Sequence, residues 1–151
     1  MADKKKEIIE QLTVSYRMEL ETVMNYIANS VNLDGVRAEK IKESLAADIA
    51  EEMTHAQQLA KRIKTISGHV PRSQTVKLDQ NAMQPPTDPT DVVTVIKGVI
   101  AAEDGACEQY MKIIKLCDGV DYVTQDLCIT LMADEEEHRR EFMGFLKEYT
   151  E

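Results

Sequence analysis

The chain has 151 residues, 43% of them hydrophobic and 30% charged, with a formal net charge of -9 at pH 7. That length suits a single domain, 1–151, around one core, and the composition excludes a collagenous or disordered chain. Negative charge over most of the surface disfavours DNA binding, since the only basic run is Lys4-Lys5-Lys6, and no apolar stretch approaches the roughly eighteen residues of a membrane span.

In chain order, apolar residues recur at helical spacing in four long segments, and no comparable period-two alternation competes with them, so an all-α bundle is expected. The first helix is predicted over about Lys5 to Val31, with Ile8, Leu12, Tyr16, Val23 and Ile27 near one face and Asp34-Gly35 as a turn after it. The second runs from about Val36 to Ser67, with Gly68 closing it. From Val70 to Pro86 the sequence carries Pro71, Asn81, Pro85 and Pro86 without periodicity. A loop of two to eight residues would join antiparallel neighbours, so this longer link predicts a crossover that starts the third helix at the opposite end of the molecule. Asp88-Pro89 is the expected N-cap and first position of a third helix reaching about Leu116. Gly119 ends it, and Asp121 is the expected cap of a fourth helix to about Tyr149. The fold class is therefore a four-helix bundle with one long crossover between helices two and three.

Acidic residues interrupt the apolar seam of every helix. The seams read Leu12, Tyr16, Glu19, Val23, Tyr26 in the first helix and Ile41, Leu45, Asp48, Glu52, His55, Leu59 in the second. In the third they read Ile96, Val99, Glu103, Ala106, Tyr110, Ile113, and in the fourth Leu131, Glu135, His138, Phe142, Phe145. Glu21 falls off the first seam. Burying four carboxylates together without cations costs many kcal/mol, so they must protonate or bind metal. One Glu-x-x-His alone is common on exposed helices. Two such pairs plus a lone Glu on each other helix supply the donor set of di-iron carboxylate bundles. Oxygen and nitrogen donors suit Fe(II), while manganese and zinc also accept such ligands.

These motifs also carry a resemblance. Met18-Glu19-Leu20 with Asn25-Tyr26, Glu52-Met53-Thr54-His55, Glu103-Asp104-Gly105-Ala106 and Asp134-Glu135-Glu136-Glu137-His138 resemble bacterioferritin motifs, over nearly all four helices. The resemblance implies the ferritin-like fold and two iron ions per chain. Glu52 and Glu135 would bridge them, Glu19 and His55 would complete one position, and Glu103 and His138 the other. Tyr26 would pack close to the centre. It further implies a ferroxidase that oxidises Fe(II) with oxygen or peroxide and stores ferric mineral inside a homo-oligomeric cage, because one small bundle has no storage volume.

Met53 stands where bacterioferritins place a haem-ligating methionine, although Met at a helix contact is the commoner use. Thirteen residues follow His138, too few for the fifth helix of bacterioferritin. A 12-subunit shell like that of Dps-like proteins therefore competes with a 24-subunit cage. The alternative activity is a rubrerythrin-like or Dps-like peroxide-reducing oxidoreductase. Met1-Ala2-Asp3-Lys4 lacks the apolar core of a signal peptide, so a cytoplasmic location is expected. Cys107, Cys117 and Cys128 lack Cys-x-x-Cys spacing, and small core cysteines are favoured over a redox pair of Cys107 with Cys128. His69 reads as a solvated loop histidine.

Overall fold

The computed structural model describes residues 1–149. Four α-helices fill it: α1 (Ala2–Asn32), α2 (Glu39–Thr65), α3 (Val92–Cys117) and α4 (Tyr122–Tyr149), with short 3-10 turns at Val36–Ala38 and Ser73–Thr75. Helices α1 and α2 pack as one hairpin, α3 and α4 as another, and α1 against α3 joins the two. Asp34 N–H donates to Pro89 C=O at 2.8 Å, which ties the end of α1 to the start of α3. At the other end of the molecule, Gly68 beyond α2 sits against Ile9 in the first turns of α1. The chain therefore travels the length of α1, about 46 Å at 1.5 Å per residue, before α3 begins, as the long crossover predicts.

Local chemistry shifts two predicted boundaries. Asp91, not Asp88, caps α3 by accepting Thr94 N–H at 3.1 Å. Asp88 instead accepts Thr90 N–H at 2.9 Å and forms an Asx turn ahead of the helix. At the end of α2 the left-handed residue is Ser67 (φ 70°), and Gly68 follows it, donating N–H to Ile63 C=O at 2.8 Å. Gly68 is required for space instead, because a Cβ there would lie 2.9 Å from the Ile63 carbonyl oxygen and 2.9 Å from Ile9 Cγ2. Asp121 does cap α4, accepting Thr124 N–H at 3.0 Å and binding Arg62 of α2 through both oxygens.

The crossover corrects one further expectation. Glu21 lies off the bundle seam yet is buried, because its carboxylate accepts Asp79 N–H at 2.6 Å and Gln80 N–H at 2.5 Å. Asn29 donates to Met83 C=O at 2.8 Å, and α3 meets the same stretch so closely that a Cβ at Gly98 would lie 2.3 Å from the Ala82 oxygen. Ile27, placed near the inner face by its spacing, is exposed.

Two apolar cores occupy the ends of the bundle. One gathers Leu33, Ile41, Leu45, Ile96, Val99 and Phe142, and the other Ile8, Leu12, Leu59, Ile63, Ile113 and Leu131. Each fully buried aliphatic or aromatic side chain contributes about 1.5–3 kcal/mol relative to exposure, so these ends can sustain an unfavourable layer between them. That layer is polar.

Candidate metal centre

One residue from each lone-glutamate helix and two from each Glu-x-x-His helix meet midway along the bundle. Glu19, Glu52, His55, Glu103, Glu135 and His138 are all buried, Glu52 at 0% exposure. The i, i+3 spacing on α2 and α4 places Glu and His one turn apart on the inner face. The pairs then cross. His55 Nδ1 lies 2.9 Å from Glu135 Oε1, and His138 Nδ1 lies 2.9 Å from Glu52 Oε1. Longer approaches complete each environment, with His55 Nδ1 3.7 Å from Glu19 Oε2 and His138 Nδ1 3.9 Å from Glu103 Oε1.

The donor atoms fall into two overlapping groups, each with its atoms within 4.8 Å of one another: Glu19, Glu52, His55 and Glu135; and Glu52, Glu103, Glu135 and His138. Glu52 and Glu135 belong to both. Both oxygens of Glu52, Glu103 Oε2 and His138 Nδ1 are buried without a hydrogen bond, since the close His138–Glu52 approach lacks hydrogen-bond alignment. Among the described residues no Lys or Arg pairs with the four glutamates. Orphaned carboxylate and imidazole atoms converging in a buried layer are what a divalent cation satisfies, so the cluster fits metal.

Electrostatics in the metal-free cluster divide the six groups. Burial, reinforced by repulsion from Glu135 and Glu52, raises the Glu19 carboxyl well above its ordinary value. Burial and the adjacent Glu135 do the same to Glu103. Burial also opposes ionisation of Glu52 and Glu135, but the close approach of the neighbouring glutamate and both imidazoles outweighs it and lowers each. Those contacts likewise overcome burial at the histidines, raising His55 and pushing His138 up to about 12. Two carboxylates thus balance two imidazoliums. Two divalent ions with four carboxylates and two neutral imidazoles would balance equally, so metal exchanges for protons without leaving net charge in the core.

Tyr26, expected near the centre, donates to Glu103 Oε1 at 2.7 Å. Its counterpart Tyr110 donates to Glu19 Oε1 at 2.5 Å, a site residue that the sequence reading left among the core. The signal was present: Tyr110 follows Glu103 by seven residues, as Tyr26 follows Glu19. Outside the cluster, Asp134 and Glu51 contact the outer nitrogens of His55 and His138 at 3.0 and 3.1 Å. Asp48 lies 3.9 Å from His138 Nε2, and burial raises its carboxyl to about 6.

A family model described as "Ferritin-like domain" matches residues 9–150. The chain belongs to the ferritin-like family. Within it, this ferritin-like chain is similar to a bacterioferritin of Desulfovibrio desulfuricans, 26% identical over 137 residues that cover 90% of this chain and 72% of that protein. It is also similar to a bacterial ferritin of Neisseria meningitidis, 33% identical over 99 residues, 65% of this chain and only 58% of that relative. Its fold matches a dodecameric thioferritin, the bacterioferritin-related protein of Bacteroides fragilis, with a TM-score of 0.87 over 96% of this chain and 87% of that one, at 24% identity.

The remaining candidates of this ferritin-like chain lie apart from the cluster. Met53 is 38% exposed on the outer side of α2, in a shallow groove with Tyr16, Leu20, Met24 and Leu78. All three cysteines are free and buried, and burial pushes the Cys128 thiol up to about 12. Cys128 shares its core with Cys117, in keeping with the small core cysteines favoured from sequence. His69 is exposed in the crossover. Among the described residues, no helix is long and apolar enough to cross a membrane.

Proposed function

We propose that this chain is a ferroxidase of the ferritin and bacterioferritin type, which takes up two Fe(II) per chain at the buried cluster and oxidises them with oxygen or peroxide. In this reading Glu52 and Glu135 serve both positions, Glu19 and His55 complete one, and Glu103 and His138 the other. The observation that carries it is the convergence of four carboxylates and two imidazoles in a layer with no Lys or Arg partner among the described residues. A structural polar layer would be satisfied internally, whereas here four donor atoms are orphaned.

The chain's own part is to hold the substrate ions close together and to keep charge balanced. Hard carboxylate oxygens favour the ferric product over the ferrous substrate, which lowers the barrier to electron loss. Tyr26 and Tyr110 restrain the outer glutamates, and the two apolar cores limit solvent access along the bundle axis. Oxidised iron then leaves for storage in a hollow shell of identical chains, of 12 or 24 copies, as ferric mineral. The likeness to a bacterioferritin and to a dodecameric thioferritin supports both the reaction and the shell. Haem at Met53 is not needed for this reaction.

Anaerobic Fe(II) loading followed by oxygen addition tests the proposal, with ferric absorbance followed while light scattering reports particle mass. Oxidation of many irons per chain, retained in a large particle, is expected. Turnover confined to about two irons per chain in a monomer or dimer would instead favour a rubrerythrin-like or Dps-like peroxide-reducing oxidoreductase.

A further inference from the structure

We propose that Cys107, Met111 and Met132 form a binding site for a soft monovalent cation, Cu(I), in a solvent-facing groove of the α3–α4 hairpin. The site lies outside the carboxylate–histidine cluster and does not rest on the iron reading above. Cys107 and Met111 stand one turn apart on α3, Met132 meets them from α4, and all three line one shallow groove between the two helices. Cys107 sits at its floor at 9% exposure, and Met111 stands at its mouth at 38%. Met132 is partly buried against the core that holds Ile113 and Leu131. The Cys107 thiol is free, and among the described residues no hydrogen bond engages it.

Donor type decides which ion the groove takes. Thiolate and thioether sulfurs select soft cations, and Cu(I) accepts low coordination numbers with such ligands. A borderline ion such as zinc needs further His, Cys, Asp or Glu donors. Among the described residues, Cys107 belongs to no group of three such side chains. Charge agrees with softness. One thiolate neutralises one Cu(I), so the complex carries no net charge into the groove, whereas a divalent ion would leave a positive charge there. Around the rim, Lys112 and Lys115 cancel Glu108 and Glu136, so the local field draws in neither cations nor anions.

Other uses of these sulfurs fit the surroundings less well. Burial pushes the Cys107 thiol up to about 11, against the pull of Arg139, so at neutral pH it is protonated and a poor nucleophile towards peroxide. Binding Cu(I) is an exchange instead: the copper–sulfur bond forms as the S–H proton leaves to solvent, and no electrons are transferred. A packing methionine belongs inside, as Met83 does at 2% exposure, yet Met111 stays open to solvent. Cys117 and Cys128 are fully buried, which leaves Cys107 as the thiol at an opening.

Anaerobic Cu(I) titration of the reduced, metal-free full chain against the coloured competitor bicinchoninate measures retention, and copper X-ray absorption identifies the ligand atoms. The expected result is a single Cu(I) per chain held against the competitor, with sulfur as its only ligand type. Cys107→Ser should lose the bound ion. The Met111→Leu/Met132→Leu double variant, which conserves side-chain volume, should release it to the competitor. Both should keep their helicity and their iron oxidation, and the double variant carries the test if Cys107→Ser fails to fold. A wild type that yields all its Cu(I) to bicinchoninate, retention unchanged in a folded variant, or nitrogen and oxygen ligands to the bound copper would overturn the site. None of these outcomes bears on the carboxylate–histidine cluster, whose own test is iron oxidation.

Discussion

The two hairpins of the bundle carry the same chemistry on different surroundings. In α1–α2 the set is Glu19, Tyr26, Glu52 and His55; in α3–α4 it is Glu103, Tyr110, Glu135 and His138, with the same spacings of seven between Glu and Tyr and three between Glu and His. The shortest links run between hairpins: Tyr26 to Glu103, Tyr110 to Glu19, His55 to Glu135 and His138 to Glu52. The surroundings diverge where the crossover lies. Two residues after Glu19 stands Glu21, buried beneath the crossover; two after Glu103 stands Gly105, with only Met18 Cε at 4.0 Å from where a Cβ would be. One turn before Glu52 stands Asp48, and one turn before Glu135 stands Leu131. Shared spacing therefore marks what the cluster requires, and the departures mark what each hairpin's neighbours require.

The largest expected effect tests the shared residues. Glu52→Gln or Glu135→Gln should suppress rapid iron oxidation by more than about 100-fold, because each belongs to both donor groups. Glu19→Gln or Glu103→Gln, which touches one group, should leave one binding step measurable. Stopped-flow absorbance after mixing Fe(II)-loaded variants with oxygen separates the two classes, and equal losses in all four would break the distinction between shared and single ligands.

Acidity sharpens the charge argument. In the metal-free cluster Glu19, Glu103, His55 and His138 are all raised above their ordinary values, so metal binding should displace protons from them. Metal affinity should consequently rise with pH. Calorimetry in buffers of different ionisation enthalpy counts the protons released. The same raised groups stabilise the metal-free fold fully below their unfolded values, for His138 below about 6.5, and lose that contribution as pH climbs towards its folded value of about 12. Glu52 and Glu135 are lowered and act oppositely, contributing stability above about 4.5 that is lost as acid protonates them. Thermal unfolding of the metal-free protein across pH should show both arms.

Smaller effects probe the unlike surroundings. Glu21→Ala strips two backbone N–H groups of their acceptor and should destabilise the fold by about 2–3 kcal/mol, lowering the thermal midpoint by roughly 4–12 °C with the cluster residues intact. Gly105→Ala at the matching position of α3 has room for its methyl and should gain about 0.5–1 kcal/mol from reduced chain entropy. Calorimetric scans check both, and a destabilised Gly105→Ala would mean that this position, too, is covered.

Much of this was legible before any coordinates. Helical periodicity named four helices because a bundle shows each helix one apolar stripe, and carboxylates recurring on that stripe can persist only with a compensating partner. That phase set the six cluster residues and Tyr26 on inner faces, together with Asp48, while the place of Tyr26 beside the centre was what the resemblance implied. Tyr110 escaped because an aromatic on an apolar seam looks like core; its hydroxyl matters only once Glu19 is seen opposite it.

What the sequence determined by itself was local: helix phase, the cap at Asp121, the long link and which acidic and histidine residues share the inner faces. Only tertiary structure decided the rest. Glu21 is buried because a segment distant in sequence lies over it, Asp91 caps α3 in place of Asp88, and Gly68 is small because Ile63 and Ile9 approach it. Most of all, the crossed pairing of each histidine with the other hairpin's glutamate depends on how two hairpins dock. Spacing along one helix fixes which residues share a face, but which face they meet is a property of the packed bundle.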